Sequence, residues 1–125
     1  MTGASALAGR FQIVSLRAAW WTWWALRRAR QRLPRDGLAT VVPPPPTLPP
    51  GARRGVYAVL RRQPATCLER ALVLQRWLAA QGEPHDVVVG VSRATGDFAA
   101  HAWLDSEAGA VEAEGFDELL RLPAT

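Results

Sequence analysis

The chain is poor in cysteine and histidine: it has one cysteine, Cys67, and two histidines, His85 and His101. A single cysteine excludes an internal disulfide, and together with two histidines it offers no spacing typical of a structural zinc site. Cysteine usage of this kind is typical of a reducing compartment. We therefore expect a cytoplasmic location and a function that requires no metal or other cofactor.

Long hydrophobic runs are also lacking. The most apolar stretch, residues 11–26, is only sixteen residues long and contains Arg17, whereas a membrane-spanning helix needs about 20 apolar residues. The first ten residues lack the charged start and the apolar segment of a secretory signal. A length of 125 residues, of which 49% are hydrophobic, fits one compact domain with a real core.

Lysine is absent, and acidic residues are scarce in the first half of the chain. All fifteen basic residues are arginine; positions 1–66 hold eleven of them against Asp36 alone, and the rest of the chain holds four against ten acidic residues. This asymmetry predicts an interaction-prone amino-terminal half whose partner is anionic. Nucleic acid is disfavoured as that partner, because the sequence shows no known nucleic-acid-binding module.

The first 50 residues predict a helix followed by a linker, and we place the remaining core domain at 51–125. Within 11–33, apolar residues recur at three- and four-residue steps: Leu16, Ala19, Trp20, Trp23 and Leu26. Pro34 is predicted to end this helix, and the proline-rich segment 38–50 to be extended. The Trp and Arg residues suit docking on a partner protein or, alternatively, peripheral contact with a membrane.

Two further helices are predicted, at Arg53–Arg62 and at 66–81. Thr66 and Glu69 have the spacing of a capping box, and Gly82 and Pro84 follow the second of these helices as stop signals. The capping box places Cys67 at the first helical position. At 100° per residue, its side of the helix is shared by Ala71, Leu74 and Leu78, with Glu69 and Arg76 opposite.

A small antiparallel sheet is predicted after these helices, which gives an α+β fold. Residues 86–91 have the apolar pattern of a covered central strand, and a turn at 94–97 leads into a strand at 98–105. In that strand one face carries Ala99, His101, Trp103 and Asp105. A four-residue turn at 106–109 and a returning strand at 110–114 are predicted next, followed by a terminal element, FDELLRL, of unassigned type.

Cys67 and His101 are the candidate catalytic pair. Backbone N–H groups and the positive dipole at a helix start favour a thiolate over a thiol, and the same groups can hold an oxyanion. Cysteine is also a common inert core residue, so the helix alone leaves both interpretations open. The strand of His101 is expected to pack on the helix face that bears Cys67. His85, in the loop after Pro84, is expected to be structural.

Glu114 is the predicted third member of a catalytic triad. With a four-residue turn at 106–109, Glu114 would lie opposite His101 with their Cβ atoms about 5 Å apart, which lets a carboxylate orient the imidazole. Glu112 lies two residues away on the same face and is the alternative in another register. Both glutamates could instead be solvated residues of an edge strand.

The sequence resembles a known family over about residues 55–115. The segment ATCLERALVLQRWLAAQGEPHDVVVGVSR, followed by FAAHAWLD, resembles the transglutaminase-like core of lasso-peptide B proteins. The shared pattern is a Cys-Leu helix, a Gly-x-Pro turn, a Val-Gly-Val strand and a Phe-x-x-His-Ala-Trp strand. The resemblance implies a papain-like core in which a helix start carries the nucleophile against antiparallel strands.

The resemblance also implies a function and partners. Cys67 would be the nucleophile and His101 the base and acid, with the third member in the strand after His-Ala-Trp, where the family usually has Asp and this chain has Glu114. The reaction would be cleavage of a ribosomally made precursor between its leader and core peptides. A separate leader-recognition protein would present the precursor leader peptide, and an ATP-dependent macrolactam cyclase would then act on the core.

Two other functions remain compatible with the sequence. The acyl group could pass to an amine, as in transglutaminases and arylamine N-acetyltransferases, because water access and pocket shape decide the acceptor. Alternatively the chain could be a noncatalytic module that binds a partner or a membrane through its Trp and Arg helix. Activity that survives Cys67→Ala would favour the noncatalytic alternative.

Overall fold

A computed structural model describes residues 2–92, 99–106 and 108–124 of the chain. It contains three α-helices and one antiparallel sheet whose strand order is β2-β1-β3. The elements are α1 (Thr2–Asp36), α2 (Arg53–Arg62), α3 (Cys67–Ala80), β1 (Val87–Ser92), β2 (Ala100–Leu104) and β3 (Phe116–Leu122). The predicted α+β class is confirmed.

Helix α1 is longer than the sequence predicts. The prediction that Pro34 ends it is wrong, because the helix continues through Pro34 to Asp36. Proline has a backbone φ compatible with a helix, and in the last turn it removes only one intrahelical hydrogen bond. The helix ends instead at Gly37, whose φ of 55° is the left-handed conformation favoured after a helix. None of the described helices combines the length and apolar character needed to cross a bilayer.

The buried face of α1 is not the face that the periodicity indicated. Leu16, Trp20 and Trp23 are exposed, and among the predicted stripe only Leu26 is fully in the core. The buried face instead consists of Ala18, Trp21, Thr22, Ala25, Leu26 and Ala29. Both sides of this helix are apolar, so periodicity alone could not choose between them. Small alanine side chains let α1 approach its neighbours closely, and packing therefore selected that side.

The proline-rich segment is packed against the helices, and its two ends form short 3₁₀ turns, Gly37–Ala39 and Pro50–Ala52. Residues 40–49 form no regular secondary structure, and Val42 and Leu48 are buried in the same core cluster as Trp21 and Trp77. The side-chain amide of Gln81 donates a hydrogen bond to the Leu48 carbonyl at 3.1 Å. The first 50 residues therefore supply part of the core that supports α3.

The helix predicted at 66–81 is confirmed as α3, together with its capping box. The Thr66 hydroxyl accepts a hydrogen bond from the Glu69 N–H at 3.2 Å, and the Glu69 carboxylate accepts one from the Thr66 N–H at 3.1 Å. These reciprocal bonds form a capping box, and α3 begins at Cys67. Glu69 is nonetheless buried, because its side of α3 faces α1, where Arg30 approaches the carboxylate to 3.8 Å.

The predicted central strand is confirmed, since β1 pairs with both other strands. Its register with β2 places Gly90 opposite His101 and Val88 opposite Trp103. In β2, Ala102 and Leu104 belong to the core shared with the helices, while His101 and Trp103 alternate with them on the other face, as predicted. The turn predicted at 94–97 lies outside the described residues.

The returning strand predicted at 110–114 is wrong. Ala108–Ala110 form a short 3₁₀ turn, residues 111–115 are turns, and the next strand is β3, the FDELLRL segment. This strand pairs with β1 on the side away from β2. Gly115, at a φ of 81°, allows the turn that leads into it. Pairing there fills the second edge of β1 and brings Leu122 against the core.

We expect Trp21 to stabilise the fold far more than its neighbour Trp20. Trp21 is 4% exposed and packs against Trp77, with ring centroids 5.9 Å apart, whereas Trp20 is 69% exposed. Trp21→Ala should lower the free energy of unfolding by about 3–5 kcal/mol, and Trp20→Ala by less than about 0.5 kcal/mol. Urea unfolding followed by circular dichroism measures both, and equal losses would contradict the packing of α1.

Candidate active site

The start of α3 is held in place from two sides, which positions Cys67. Arg70 donates hydrogen bonds to the carbonyls of Leu60 and Gln63, at 3.0 and 3.2 Å, and so ties α3 to the end of α2. On the other side Arg30, from α1, donates to the Pro64 carbonyl. Together with the capping box, these bonds fix the first turn of α3. The Cys67 side chain is half-buried at that turn.

Cys67 and His101 line one cavity, together with Glu112. The cavity has a volume of about 410 Å³, and Leu74 and Leu78 of α3 form part of its apolar wall. β2 is an edge strand, and His101 reaches this cavity beside the helix-facing residues of the strand. The structure therefore places both residues in the lining of one cavity, although His101 belongs to the face of β2 opposite the residues that pack on the helices.

The imidazole of His101 lies against two aromatic rings. The ring centroids are 5.9 Å from Trp103 and 5.2 Å from Phe116, with interplanar angles of 29° and 37°. Gly90, opposite His101 in the ladder, makes this arrangement possible: a Cβ at this position would lie 2.6 Å from the Trp103 indole and 2.8 Å from the Asp117 carbonyl oxygen. Sequence reasoning missed Phe116 and Gly90, and the glycine inside a valine run was the available signal.

Glu112, and not Glu114, approaches His101. A carboxylate oxygen of Glu112 lies 3.8 Å from Nε2 of His101, within ion-pair range. Glu114 lies in the turn that replaces the predicted strand and is exposed, so the register that placed it opposite His101 is wrong.

One comparison with known proteins identifies the family of the chain. A family model described as the transglutaminase-like superfamily matches residues 12–121. The chain belongs to that superfamily. It includes both cysteine peptidases and acyltransferases, and the match begins inside α1, in line with the contribution of α1 to the core. No curated protein and no solved structure gives a significant match.

Two further polar residues of this transglutaminase-like domain have structural partners. Nδ1 of His85 donates to the Asp105 carbonyl at 3.0 Å, and the His85 carbonyl accepts from the Gln75 amide at 2.9 Å. These bonds attach the α3–β1 loop to the end of β2, which agrees with a structural role for His85. Arg121 donates hydrogen bonds to the carboxylates of Asp105 and Glu118, and these bonds, first that to Asp105, raise the Arg121 pKa above its usual value. Asp105 is thus engaged away from His101.

The residues around the cavity are of the types that acyl transfer uses. In the part of the chain that the structure describes, no three His, Cys, Asp or Glu side chains converge as metal ligands. The N–H groups in the first turn of a helix have no intrahelical acceptor. In α3 the capping box supplies an acceptor for the Glu69 N–H. A thiolate, a proton carrier and oxyanion donors can therefore meet in one cavity of the transglutaminase-like domain.

Because Cys67 is the only thiol in the chain, its alkylation reports the state of the site directly. We expect His101→Ala to slow alkylation of Cys67 by iodoacetamide at neutral pH by about tenfold, since the variant loses the imidazole of the shared cavity that can accept the thiol proton. His85→Ala is the matched control and should leave the rate unchanged. Rates measured by intact-protein mass spectrometry decide between them, and equal effects of both variants would contradict the pairing of Cys67 with His101.

Proposed function

We propose that this transglutaminase-like domain is a cysteine peptidase that removes the leader peptide from a lasso-peptide precursor. The observation that supports it most directly is the shared cavity, in which Cys67 at a helix start meets His101 and Glu112. The Cys-Leu, Val-Gly-Val and His-Ala-Trp segments of the lasso-peptide B proteins correspond here to the start of α3, to β1 and to β2. Within this superfamily, that resemblance favours the peptidase.

In the proposed first step, the Cys67 thiolate attacks the carbonyl carbon of the last leader residue. The negative charge that develops on the carbonyl oxygen is stabilised by backbone N–H groups of the first turn of α3 and by the helix dipole. The Thr66 hydroxyl already accepts from the Glu69 N–H. The N–H groups of Cys67 and Leu68 are therefore the donors best placed for this role.

His101 carries the proton through the reaction. As imidazolium it protonates the amine of the departing core peptide while the C–N bond breaks and the leader remains as a thioester on Cys67. Neutral His101 then takes a proton from the water that attacks the thioester, and collapse of the adduct releases the leader acid and regenerates the Cys67 thiolate beside the His101 imidazolium. In this proposal Glu112 stabilises the imidazolium through Nε2, and Nδ1 is the nitrogen that exchanges the proton.

The shape of the cavity suits a peptide substrate. Its apolar wall of Tyr57, Leu60, Leu74 and Leu78 can accept a side chain next to the cleaved bond, and Arg61 and Ser106 lie among its polar lining. Two proteins complete the proposed pathway: a separate leader-recognition protein that delivers the precursor, and an ATP-dependent macrolactam cyclase that closes the released core. Transfer of the acyl group to an amine shares the first step and would differ only in the acceptor.

Replacement of the nucleophile tests the peptidase directly. Cys67→Ala should abolish cleavage of a lasso-peptide precursor presented by its leader-recognition protein, because no thioester can form. The change is small and lies at a helix start, so the unfolding curve should stay close to that of the parent. Mass spectrometry of the precursor follows the reaction. Cleavage at the parental rate by this variant would exclude the peptidase assignment. If the parent enzyme instead releases the leader joined to an amine, the protein is an amine acyltransferase.

The geometry also sets an order for the two glutamates. We expect Glu112→Gln to lower kcat/KM by about tenfold to a hundredfold, since the carboxylate that stabilises the His101 imidazolium is lost. Glu114→Gln, a matched change two residues away in the same turn, should lie within about twofold of the parent, as expected of an exposed residue. A larger loss for Glu114→Gln would restore the arrangement predicted from the sequence.

A further inference from the structure

The outer face of α1 is apolar although the structure leaves it exposed. Ile13, Leu16 and Trp20 are 60%, 68% and 69% exposed, and Trp23 and Trp24 are about a third exposed. These residues lie opposite the buried side of α1. We use the name Trp–Arg surface for the part of this face formed by Leu16, Trp20, Trp23, Trp24, Arg27 and Arg28. An exposed cluster of large apolar side chains of this kind marks an interaction site.

Arginine side chains are built into this surface. The guanidinium carbon of Arg27 lies 5.5 Å from the ring centroid of Trp23, and that of Arg28 lies 5.5 Å from the ring centroid of Trp24. Trp20 stacks on Trp23, with centroids 5.5 Å apart. A guanidinium over an aromatic ring retains its in-plane N–H groups, which can donate to phosphate oxygens in pairs. Each such pair combines an apolar contact with an anion-binding group.

The charge around the Trp–Arg surface is almost entirely positive. Arg17 lies on the same helix, and α2 adds the exposed Arg53, Arg54 and Arg62. Before Glu69, which is buried against Arg30, the chain has one acidic residue, Asp36, at the far end of α1. A groove of about 1010 Å³ between α1 and α2 continues the surface, with Leu16 and Arg54 in its lining. Charge complementarity therefore requires an anionic partner.

We infer that the Trp–Arg surface binds the headgroup layer of an anionic lipid bilayer. Tryptophan is favoured at headgroup depth, where its ring is in an apolar layer and its N–H is hydrated, and arginine binds the phosphates beside it. The exposed face from residue 13 to residue 28 is about 24 Å long, so the helix would lie in the plane of the bilayer. An acidic protein would match the charge, but it would not require three tryptophans at one level.

Docking in this orientation leaves the active site accessible, and the inference does not depend on the proposed peptidase reaction. α2 separates the two regions: Arg54 and Arg62 line the groove beside α1, while Tyr57 and Arg61 line the cavity of Cys67. The bilayer would thus contact one side of the domain while a peptide enters from another.

The test is co-sedimentation of the full chain with vesicles of phosphatidylcholine alone or mixed with phosphatidylglycerol. We expect binding to the mixed vesicles that weakens as salt is raised, and little binding to neutral ones. Trp20→Ala/Trp24→Ala and Arg27→Gln/Arg28→Gln should each lower the partition coefficient by about tenfold. Leu119→Ala, an exposed apolar residue of β3 (64% exposed), is the matched control and should bind as the parent does.

Unfolding curves and Cys67 alkylation rates that match the parent show that each variant is folded. The inference is overturned if the parent does not bind anionic vesicles, or if the double variants bind as well as the Leu119→Ala control. A second result would also overturn it: the parent forms an oligomer without lipid, the variants abolish that oligomer, and the parent does not bind vesicles. The surface would then bind protein. Precursor cleavage by these variants in solution tests the peptidase reaction, whereas vesicle binding tests the Trp–Arg surface. The two proposals can therefore fail separately.

Discussion

The hydrogen-bonded start of α3 is the constraint on which the rest of the structure depends. Thr66 and Glu69 satisfy each other's backbone N–H groups, and this reciprocal cap fixes both the first residue of the helix and its direction. The cap is in turn held by α1 through Arg30 and by α2 through Arg70. Cys67 therefore stands at the junction of three helices, with its position determined by bonds that it does not itself make.

The sheet supplies the other half of the site through an equally specific constraint. β1 must lie between two strands, and Gly90 leaves the space that the Trp103 indole occupies. With Trp103 on one strand and Phe116 on another, the His101 ring is held by residues from two separate segments. The orientation of the imidazole therefore depends on the pairing of both outer strands with β1.

Helix α1 connects the interior of the domain with its surroundings. Its alanine-rich face with Trp21 completes the core, and its opposite face carries Trp20 and the arginine-stacked tryptophans. An apolar helix face is normally packed against another surface. The fold buries the Trp21 side of α1 and leaves the Trp20 side exposed. The same element can thus stabilise the half of the chain that carries Cys67 and provide a surface for binding outside it.

The sequence by itself determined the local features. A cap, a stop signal and a valine run act over a few residues, so the helix start at Cys67, the helix Arg53–Arg62, the central strand and the alternation of His101 with the core residues of β2 could all be predicted. The candidate pair Cys67 and His101 followed from the same signals together with the family resemblance.

Tertiary structure decided the features in which two segments compete for one place. Which face of α1 is buried depended on how closely α2 and α3 could approach, and periodicity does not encode that distance. The sequence predicts a strand at 110–114 because a hairpin is the simplest local continuation of β2. In the folded chain the later segment, β3, pairs with the second edge of β1 instead. That choice moved the carboxylate near His101 from Glu114 to Glu112, since strand pairing is a contact between distant residues that only the folded chain can settle.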